Sequence, residues 1–239
     1  MQVFGMGLGI DKQNSNNAVY LSMRKLVLNM AVTVDGFVAA PDGNQDWMFK
    51  IQDEGANGWI LDTIINAGMH LMGSRVFNDM ISYWPFSDEV YSAPMNKIPK
   101  AVFTRHKVNM KPDYKKGVAG FKMAGISKTV KEMKENPGSA GYLTDWQEAL
   151  VIKGDLAAGI KKLKQQPGNY ILAHGGSGFA QALTALNLVD EYRLTTFPVA
   201  LGEGMPLFGV ASKPLELKLV QTHIFSNGVI GRVYQPLKK

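Results

Sequence analysis

A glycine-rich turn in the stretch "LAHGGSGFAQAL", residues 172–183, is the feature of this sequence with the clearest chemical potential. Gly175, Gly176 and Gly178 fall within four positions, between residues that predict a strand and residues that predict a helix. A turn of this kind can expose a nucleophile, hold a phosphate or only bend the chain. The neighbouring residues limit which of these functions is open to it.

Two of these chemistries need motifs that the turn lacks. A nucleophile elbow requires G-x-S-x-G, but Gly175 and Ser177 are followed by Phe179 where the last glycine belongs. The dinucleotide fingerprint G-x-G-x-x-G fails at Gln181, and no P-loop Gly-Lys-Ser/Thr follows. The turn therefore either presents the free N–H groups of a helix start to an anion or allows close backbone packing.

The positive charge of the chain is concentrated in one region. The formal net charge is +6, and between Lys97 and Lys134 there are 11 Lys or Arg against two acids, so the remainder is slightly acidic. A nucleic-acid surface would carry interleaved aromatic residues or a recognisable module. We therefore expect a solvated region and no nucleic-acid partner.

Composition limits the class of protein. With 239 residues, of which 46% are hydrophobic, the chain can bury the core of one large domain. The absence of cysteine excludes disulfides and thiolate catalysis and favours a reducing compartment, and no apolar run is long enough to predict a membrane span. The four histidines are scattered, and a zinc-deaminase signature is absent. We expect a cytoplasmic protein that binds neither a metal nor a membrane.

The elements that position the glycine turn alternate between strands and helices. Continuous apolar runs that end in turn residues are typical of parallel strands buried on both faces. Helical spacing occurs between them, for example at Leu156, Ile160 and Leu163, where Asp155 is a predicted N-cap. The segments "LELKLV" and "VIGRVYQP" predict an antiparallel hairpin that closes an α/β fold. The runs that predict parallel strands are "KLVLNMAVTV", "MHLMG", "KAVFT", "ALVIKG" and "NYILAHGG".

Two segments interrupt this alternation. Residues 1–23 have a polar centre and are predicted to be an N-terminal extension, with an additional strand over residues 3–10 as the alternative. Residues 106–143 have scattered apolar residues and many lysines, and are predicted to be a surface insertion that the core does not need. Within it, "SKTVKEMKEN" predicts a short exposed helix. We interpret residues 24–239 as one domain that contains this insertion.

The order of several motifs resembles the dihydrofolate-reductase-like family. "MAVTVDGFVA", "HLMGSRVF", "AVFTR" and "VIKGDL" precede the more specific stretch "ILAHGGSGFAQALTALNLVDEYRLTTFPVALGEGMPLF". The sequence is most similar to the reductase domain of bifunctional riboflavin biosynthesis deaminase-reductases and their stand-alone relatives, over roughly residues 24–236. The resemblance implies a three-layer fold, with helices on both faces of a mostly parallel central sheet and a C-terminal antiparallel hairpin.

The same resemblance implies that NADPH binds across the carboxyl ends of the strands. In such folds the double glycine, here Gly175 and Gly176, lies near the cofactor. The helix start that follows, at Ser177, Gly178 and Phe179, receives the pyrophosphate.

Further cofactor contacts are implied at neighbouring strand ends. The turn after "LMG" supplies Gly73 and Arg75, with Ser74 in place of a basic residue that is frequent in the family. A guanidinium and an ammonium near the adenosine 2′-phosphate would favour NADPH over NADH. Ordinary surface charge is the alternative for each cation. The positions that match the family near the 2′-phosphate are Thr104, Arg105 and Lys153.

The substrate side offers fewer candidates. Asp35 of "VDG" matches a strand-end motif beside the nicotinamide, and "PDGNQDW" places Asp46 and Trp47 on a loop that borders the pocket. Either carboxylate could orient a polar heterocycle or relay a proton, whereas Asp35 could instead cap a turn and Trp47 could cover the edge of the core. Asn29 is a further candidate for binding the substrate.

These observations predict an NADPH-dependent reductase of a small heterocyclic substrate, similar to 5-amino-6-(5-phosphoribosylamino)uracil reductase of riboflavin biosynthesis. The alternatives are a dihydrofolate- or pteridine-type reductase and a nucleotide-binding module of this fold without turnover. No catalytic residue is assigned. Because the family's reductase domains often associate in twos and the terminal hairpin leaves a sheet edge open, a homodimer is also predicted.

Overall fold

Six parallel strands and one antiparallel hairpin form the eight-stranded sheet at the centre of the fold. The computed structural model describes residues 23–51, 53–136, 141–209 and 214–237, so the predicted N-terminal extension, apart from Met23, lies outside the described residues. In spatial order the strands are β5 (Leu150–Ile152), β4 (Lys100–Phe103), β3 (Met69–Gly73), β6 (Ile171–His174), β1 (Leu26–Thr33), β7 (Glu191–Phe197), β10 (Ile230–Pro236) and β9 (Leu217–Ile224).

Nine α-helices are described, and a 3₁₀ turn at Trp84–Phe86 follows the third. A small second sheet pairs β2 (Phe37–Ala39) with β8 (Met205–Pro206). The helices are α1 (Trp47–Lys50), α2 (Glu54–Ile65), α3 (Ser74–Tyr83), α4 (Ser92–Lys97), α5 (Tyr114–Met123), α6 (Val130–Glu135), α7 (Tyr142–Gln147), α8 (Leu156–Lys164) and α9 (Ser177–Ala185).

Helices cover both faces of the sheet because its parallel strands are apolar on both. On one face, Leu28 of β1 shares a buried cluster with Ile160 of α8 and Leu183 of α9. On the other face, the next strand residue, Val27, shares a cluster with Ile64 of α2. The alternation of side chains along each strand produces this division. The predicted α/β class, the parallel strands and the terminal hairpin are confirmed.

Residues 106–143 do not form a surface insertion, and that prediction is wrong. The segment contains α5 and α6, and Phe121 and Met133 are buried in a cluster with Phe86, which lies outside the segment. The short helix predicted within it is confirmed as α6, where Thr129 and Glu132 form a capping box. Because its apolar side chains pack on the rest of the chain, the segment is part of the core.

The terminal hairpin leaves β9 at the edge of the sheet. Seven of its eight residues, from Lys218 to Ile224, are exposed. In the part of the chain that the structure describes, no helix combines the length and the apolar character that crossing a bilayer requires.

Candidate functional site

The carboxyl ends of β3 and β6 form a topological switch point, because the connections after these neighbouring strands leave to opposite faces of the sheet. β3 continues into α3, which packs through Phe77 on the face that carries Met72. β6 continues into α9, which packs through Leu183 on the face that carries Leu71. Open α/β sheets bind ligands in the crevice at such a point. The glycine turn identified in the sequence lies there.

The start of α9 leaves backbone N–H groups without a capping side chain. Gly176 is the N-cap residue, with φ 50° and ψ 135°, and no side chain bonds to the helix start. The Phe179 N–H donates to the Gly176 carbonyl, and the N–H groups of Ser177 and Gly178 precede the first residue that has an acceptor within the helix. A Cβ at Gly176 would lie 3.2 Å from Cγ2 of Val76, and its positive φ disfavours other residues.

Helix α3 begins beside α9 in the same manner. Its N-cap residue, Gly73, also has no side-chain hydrogen bond. A Cβ built on Gly73 would lie 3.4 Å from Cβ of Phe179, so the two helix starts are in contact distance. The Phe179 ring stacks on Phe103 at the end of β4, with centroids 6.3 Å apart. The Phe179 side chain thus packs between strand ends, and its N–H already donates to the Gly176 carbonyl.

The remaining glycines of the turn lie close to β1 and to open space. A Cβ on Gly175 would lie 2.4 Å from Sδ of Met30, so the chain passes β1 too closely for a side chain. A Cβ on Gly178 would meet nothing within 4 Å, so the first turn of α9 borders open space. The Ser177 hydroxyl is 3.6 Å from Sδ of Met205. The loop that contains β8 therefore borders the same crevice.

Three cations follow neighbouring strand ends along this edge. Arg75 lies in the first turn of α3, Arg105 follows β4, and Lys153 follows β5. All three side chains are exposed, and none of them makes an ion pair or hydrogen bond within the described residues. Because strands lie about 4.8 Å apart, the edge from β6 to β5 spans roughly 15 Å.

Thr104 differs from its predicted role as a phosphate contact. It is 3% exposed, and its hydroxyl donates to the His106 carbonyl at 3.0 Å while accepting the His106 N–H at 3.1 Å. Its own N–H donates to the Ile152 carbonyl of β5. Thr104 therefore holds the turn that carries Arg105, and its hydroxyl is already engaged within that turn.

Asp35 fastens a loop to the end of β1. Its carboxylate accepts the N–H groups of Leu201 at 2.9 Å and Gly202 at 2.8 Å, and it also accepts the Thr33 hydroxyl. The hydrogen bond from Thr33, followed by that from Gly202, lowers the pKa of Asp35. An ionised carboxylate whose oxygens are occupied by protein donors supports the turn-capping alternative over proton relay.

Asp46 and Trp47 lie at the start of α1 and have different surroundings. Asp46 pairs with Lys50 at 2.8 Å in a solvent-exposed ion pair. Trp47 is 5% exposed and packs edge-on against Phe197, with centroids 5.3 Å apart. Trp47 therefore covers the edge of the core, which was the alternative to stacking on a substrate ring.

Asn29 lies below the crevice, beside a histidine, His174, that was not predicted as a site residue. Asn29 of β1 is in register with His174 of β6, so both side chains project from the same face of the sheet. The His174 Nε2 atom is 2.9 Å from Nδ1 of His70 on β3. The two histidines are 104 residues apart in sequence, and only the position of His174 directly before the double glycine could have indicated it.

The crevice as a whole can bind an elongated anion. Two adjacent helix starts supply N–H donors and positive dipole ends. Three cations that have no partner among the described residues extend the positive edge across β3, β4 and β5. These donors fit the pyrophosphate and the 2′-phosphate of NADPH. In the described ranges, no group of three or more His, Cys, Asp or Glu residues is arranged to hold a metal ion.

Comparison with known families identifies relatives over most of the chain. The sequence profile of the RibD C-terminal domain matches residues 24–230. The uncharacterized protein YyaP of Bacillus subtilis (strain 168) is 32% identical over 216 residues, which cover 90% of this chain and 96% of YyaP. The uncharacterized protein YwjB of the same organism is 26% identical over 211 residues, which cover 86% of this chain and 95% of YwjB.

Solved structures share the fold at low identity. A pyrimidine reductase-like protein from Corynebacterium diphtheriae has a TM-score of 0.58 at 13% identity, covering 90% of this chain and 93% of its own. A deaminase and 5-amino-6-(5-phosphoribosylamino)uracil reductase from Thermotoga maritima has a TM-score of 0.54 at 14% identity, covering 90% of this chain and 57% of its own. Enterococcus faecalis dihydrofolate reductase, complexed with NADP(H), has a TM-score of 0.51 at 12% identity, covering 90% of this chain and 97% of its own.

Proposed function

Because this chain belongs to the RibD C-terminal domain family, we propose that it is an NADPH-dependent reductase of a small heterocyclic substrate. The observation that carries the proposal is the pair of uncapped helix starts, α3 and α9, in contact at the switch point of the sheet. The family is reductase-like, and a neighbour of the same fold is named as a uracil reductase. A reduced nicotinamide would supply the hydride.

The chain's own residues would bind and orient the cofactor. The N–H groups at Ser177 and Gly178 would donate to the pyrophosphate, with Gly73 and Arg75 supplying the second contact. Arg105 would take the 2′-phosphate together with Lys153, because β4 and β5 place these two cations side by side. A guanidinium beside an ammonium suits a dianion and favours NADPH over NADH.

The loop around β8 would close the substrate side. Asp35 holds residues 201–202 against the end of β1, and Gln181 of α9 donates to the Pro206 carbonyl at 2.6 Å. This loop is thereby fixed to both β1 and α9, on either side of the glycine turn. It would exclude water from the reacting carbon of the nicotinamide without itself taking part in proton transfer.

The substrate proposed is a pyrimidine or a related ring, as in 5-amino-6-(5-phosphoribosylamino)uracil reductase. A dihydrofolate- or pteridine-type substrate is the alternative within the same chemistry.

A second candidate function, a nucleotide-binding module without turnover, is favoured by one observation. The two carboxylates considered as proton relays are engaged elsewhere, Asp35 by the loop and Asp46 by Lys50.

The test separates binding from turnover. We expect NADPH to bind with a shift in its fluorescence, and NADPH absorbance to fall when a panel of amino-substituted pyrimidines and pteridines is added. Binding without any oxidation of NADPH across the panel would favour the binding module. Failure to bind NADPH would refute the proposal.

We also propose that the chain forms a homodimer through the β9 edge. β9 exposes Leu219, Val220 and Ile224, at 49%, 50% and 78%, on a strand whose outer edge is unpaired in the described chain. Open, apolar edges of this length are normally covered. Light scattering over a dilution series should give twice the 26.2 kDa chain mass, and Val220→Lys should give the single mass. A single mass at every concentration would contradict the dimer.

A further inference from the structure

Asn29 and His174 form a polar pair in an otherwise apolar part of the sheet. They occupy paired positions on β1 and β6, directly above Val27 and Leu172 in the same face, which are packed under α2 and α4. Asn29 is half-buried, and His174 is 7% exposed. His174 precedes the double glycine, so the pair lies at the floor of the crevice.

The hydrogen bonds of the two histidines determine which nitrogen of His174 is free. His70 Nε2 is 3.3 Å from the Pro94 carbonyl, which can only accept, so this nitrogen carries the proton. In a neutral imidazole the other nitrogen, His70 Nδ1, is then an acceptor, and it must receive the N–H of His174 Nε2 at 2.9 Å. Nδ1 of His174 is therefore an unprotonated acceptor.

Both rings are held in the neutral form. Burial lowers the pKa of His174 to about 4. Burial also lowers the pKa of His70 well below its usual value, and the proximity of His174 contributes in the same direction. The chain of donors from His174 to Pro94 is thus fixed in one direction at neutral pH.

Two hydrogen-bonding groups of this pair remain without a partner among the described residues. Nδ1 of His174 and the side-chain amide of Asn29 have no hydrogen-bond partner within the described residues. The neighbour of Asn29 on the other side, Arg193 of β7, is already bound to Glu191 at 2.9 Å and to the Thr63 hydroxyl at 3.1 Å. Because these two groups have no protein partner in the described chain and lie side by side on paired strands, both are available to a ligand in the crevice.

We infer that Asn29 and Nδ1 of His174 together bind an amide-like edge, in which an N–H lies beside a carbonyl. The N–H donates to His174, and the Asn29 amide complements the neighbouring carbonyl. Such an edge occurs on the carboxamide of nicotinamide and on the ring of a pyrimidine substrate. His70 is a positioning residue that fixes the His174 tautomer. The inference rests on the proposed function for the identity of these ligands.

The first arm of the test compares two reduced cofactors. NADPH carries the carboxamide N–H, whereas reduced 3-acetylpyridine adenine dinucleotide phosphate has a methyl group in its place. His174→Ala should weaken NADPH about tenfold, the worth of one hydrogen bond, and leave the analogue unchanged. Leu172→Ala is the matched control, because Leu172 is fully buried on the same face two residues earlier. If His174→Ala weakens both cofactors equally, His174 has only a structural role, and the hypothesis that it binds the carboxamide is overturned.

The second arm uses 5,6-diaminouracil as a probe, measured calorimetrically with and without bound NADP⁺. If the edge belongs to the substrate, His174→Ala should weaken the probe about tenfold, with NADPH unchanged and with no effect of Leu172→Ala. The inference is overturned if His174→Ala changes neither ligand selectively. A wild-type chain that binds the probe but not NADPH would refute the proposed function alone.

The role of His70 has a readout of its own. Nitrogen-15 NMR should find His174 protonated at Nε2 in the wild-type chain and a mixture of tautomers in His70→Gln. His70→Gln should also weaken the same ligand selectively, but by less than His174→Ala does. A wild-type His174 protonated at Nδ1 would overturn the inference, because that nitrogen could not accept.

Discussion

The longer helices of the described chain begin in two different ways. α2, α5 and α8 start with an aspartate whose carboxylate accepts backbone N–H groups of the first turn, at Asp53, Asp113 and Asp155. α3 and α9 start with glycine, at Gly73 and Gly176, and no side chain bonds to their first turns. The two uncapped starts are the two that meet at the switch point.

The two kinds of helix start therefore differ in role: one stabilises the helix, and the other leaves backbone N–H groups for a ligand. An aspartate cap satisfies N–H groups that would otherwise lack a partner and contributes about 1 kcal/mol to stability. A glycine leaves the same groups available, and it leaves room for a ligand to approach the backbone. We therefore expect changes at capped helices to affect stability alone, and changes at uncapped starts to affect NADPH binding alone.

The largest effect should come from the interior of a capped helix. Phe121 of α5 is fully buried and stacks on Tyr83 with centroids 4.3 Å apart. Phe121→Ala should lower the free energy of unfolding by about 3–5 kcal/mol, measured by urea denaturation, because it leaves a cavity. The Kd for NADPH of the folded fraction should not change.

Phe121→Leu is the control for this variant, since it retains most of the apolar volume and should cost much less. A Phe121→Ala protein as stable as the wild type would contradict a stabilising role for the packing of α5 against Tyr83 and Phe86.

The next largest effect should follow from converting an uncapped start into a capped one. Gly73 has φ −75° and ψ 160°, which any residue can adopt, and a Cβ there makes an ordinary contact with Phe179. Gly73→Asp should weaken NADPH on the order of a hundredfold, because a carboxylate beside a phosphate costs a few kcal/mol at an effective dielectric constant of about 20. The melting temperature should stay the same or rise.

Gly73→Ala separates the charge from the added Cβ, and it should have much less effect on NADPH. If Gly73→Asp binds NADPH as the wild type does, the phosphates do not lie at the start of α3.

The difference between helix starts was partly visible in the sequence. Asp155 before the apolar positions of α8, and Gly176 after a strand, are local signals that need no tertiary information. Five of the six parallel strands were predictable for the same reason, since a run such as "KLVLNMAVTV" is apolar on both faces and belongs to a buried parallel strand. The sixth, β7, was not predicted because its sequence "EYRLTTF" mixes polar and apolar residues.

Features that depend on distant contacts could not be predicted. Phe121 and Met133 lie on two short helices, so no single window shows their common burial. His70 and His174 meet because β6 is inserted between β3 and β1, an order that the sequence does not encode locally. The partners of Asp35 are 166 and 167 residues away, which is why proton relay and turn capping were both open.

A smaller effect is expected from the cations beyond the helix starts. Arg105→Ala should weaken NADPH about tenfold and leave NADH unchanged, because an exposed guanidinium contributes one charge-assisted contact to the 2′-phosphate. Fluorescence titration with both cofactors measures this. Lys107→Ala removes a neighbouring exposed cation and is the matched control. Equal losses for NADPH and NADH would remove Arg105 from the 2′-phosphate site.

The smallest effect should come from removing a cap. The Asp155 carboxylate accepts the Ala158 N–H at 2.7 Å, so Asp155→Ala leaves a helix N–H without a partner and should destabilise the protein by about 1 kcal/mol. Asp155→Asn retains an equivalent acceptor and should be nearly neutral, which separates the hydrogen bond from the charge. Neither variant should change the Kd for NADPH, although Asp155 lies only two residues after Lys153. If Asp155→Ala instead altered cofactor affinity at unchanged stability, a capped start would be part of the binding site, and the division between the two kinds of helix start would fail.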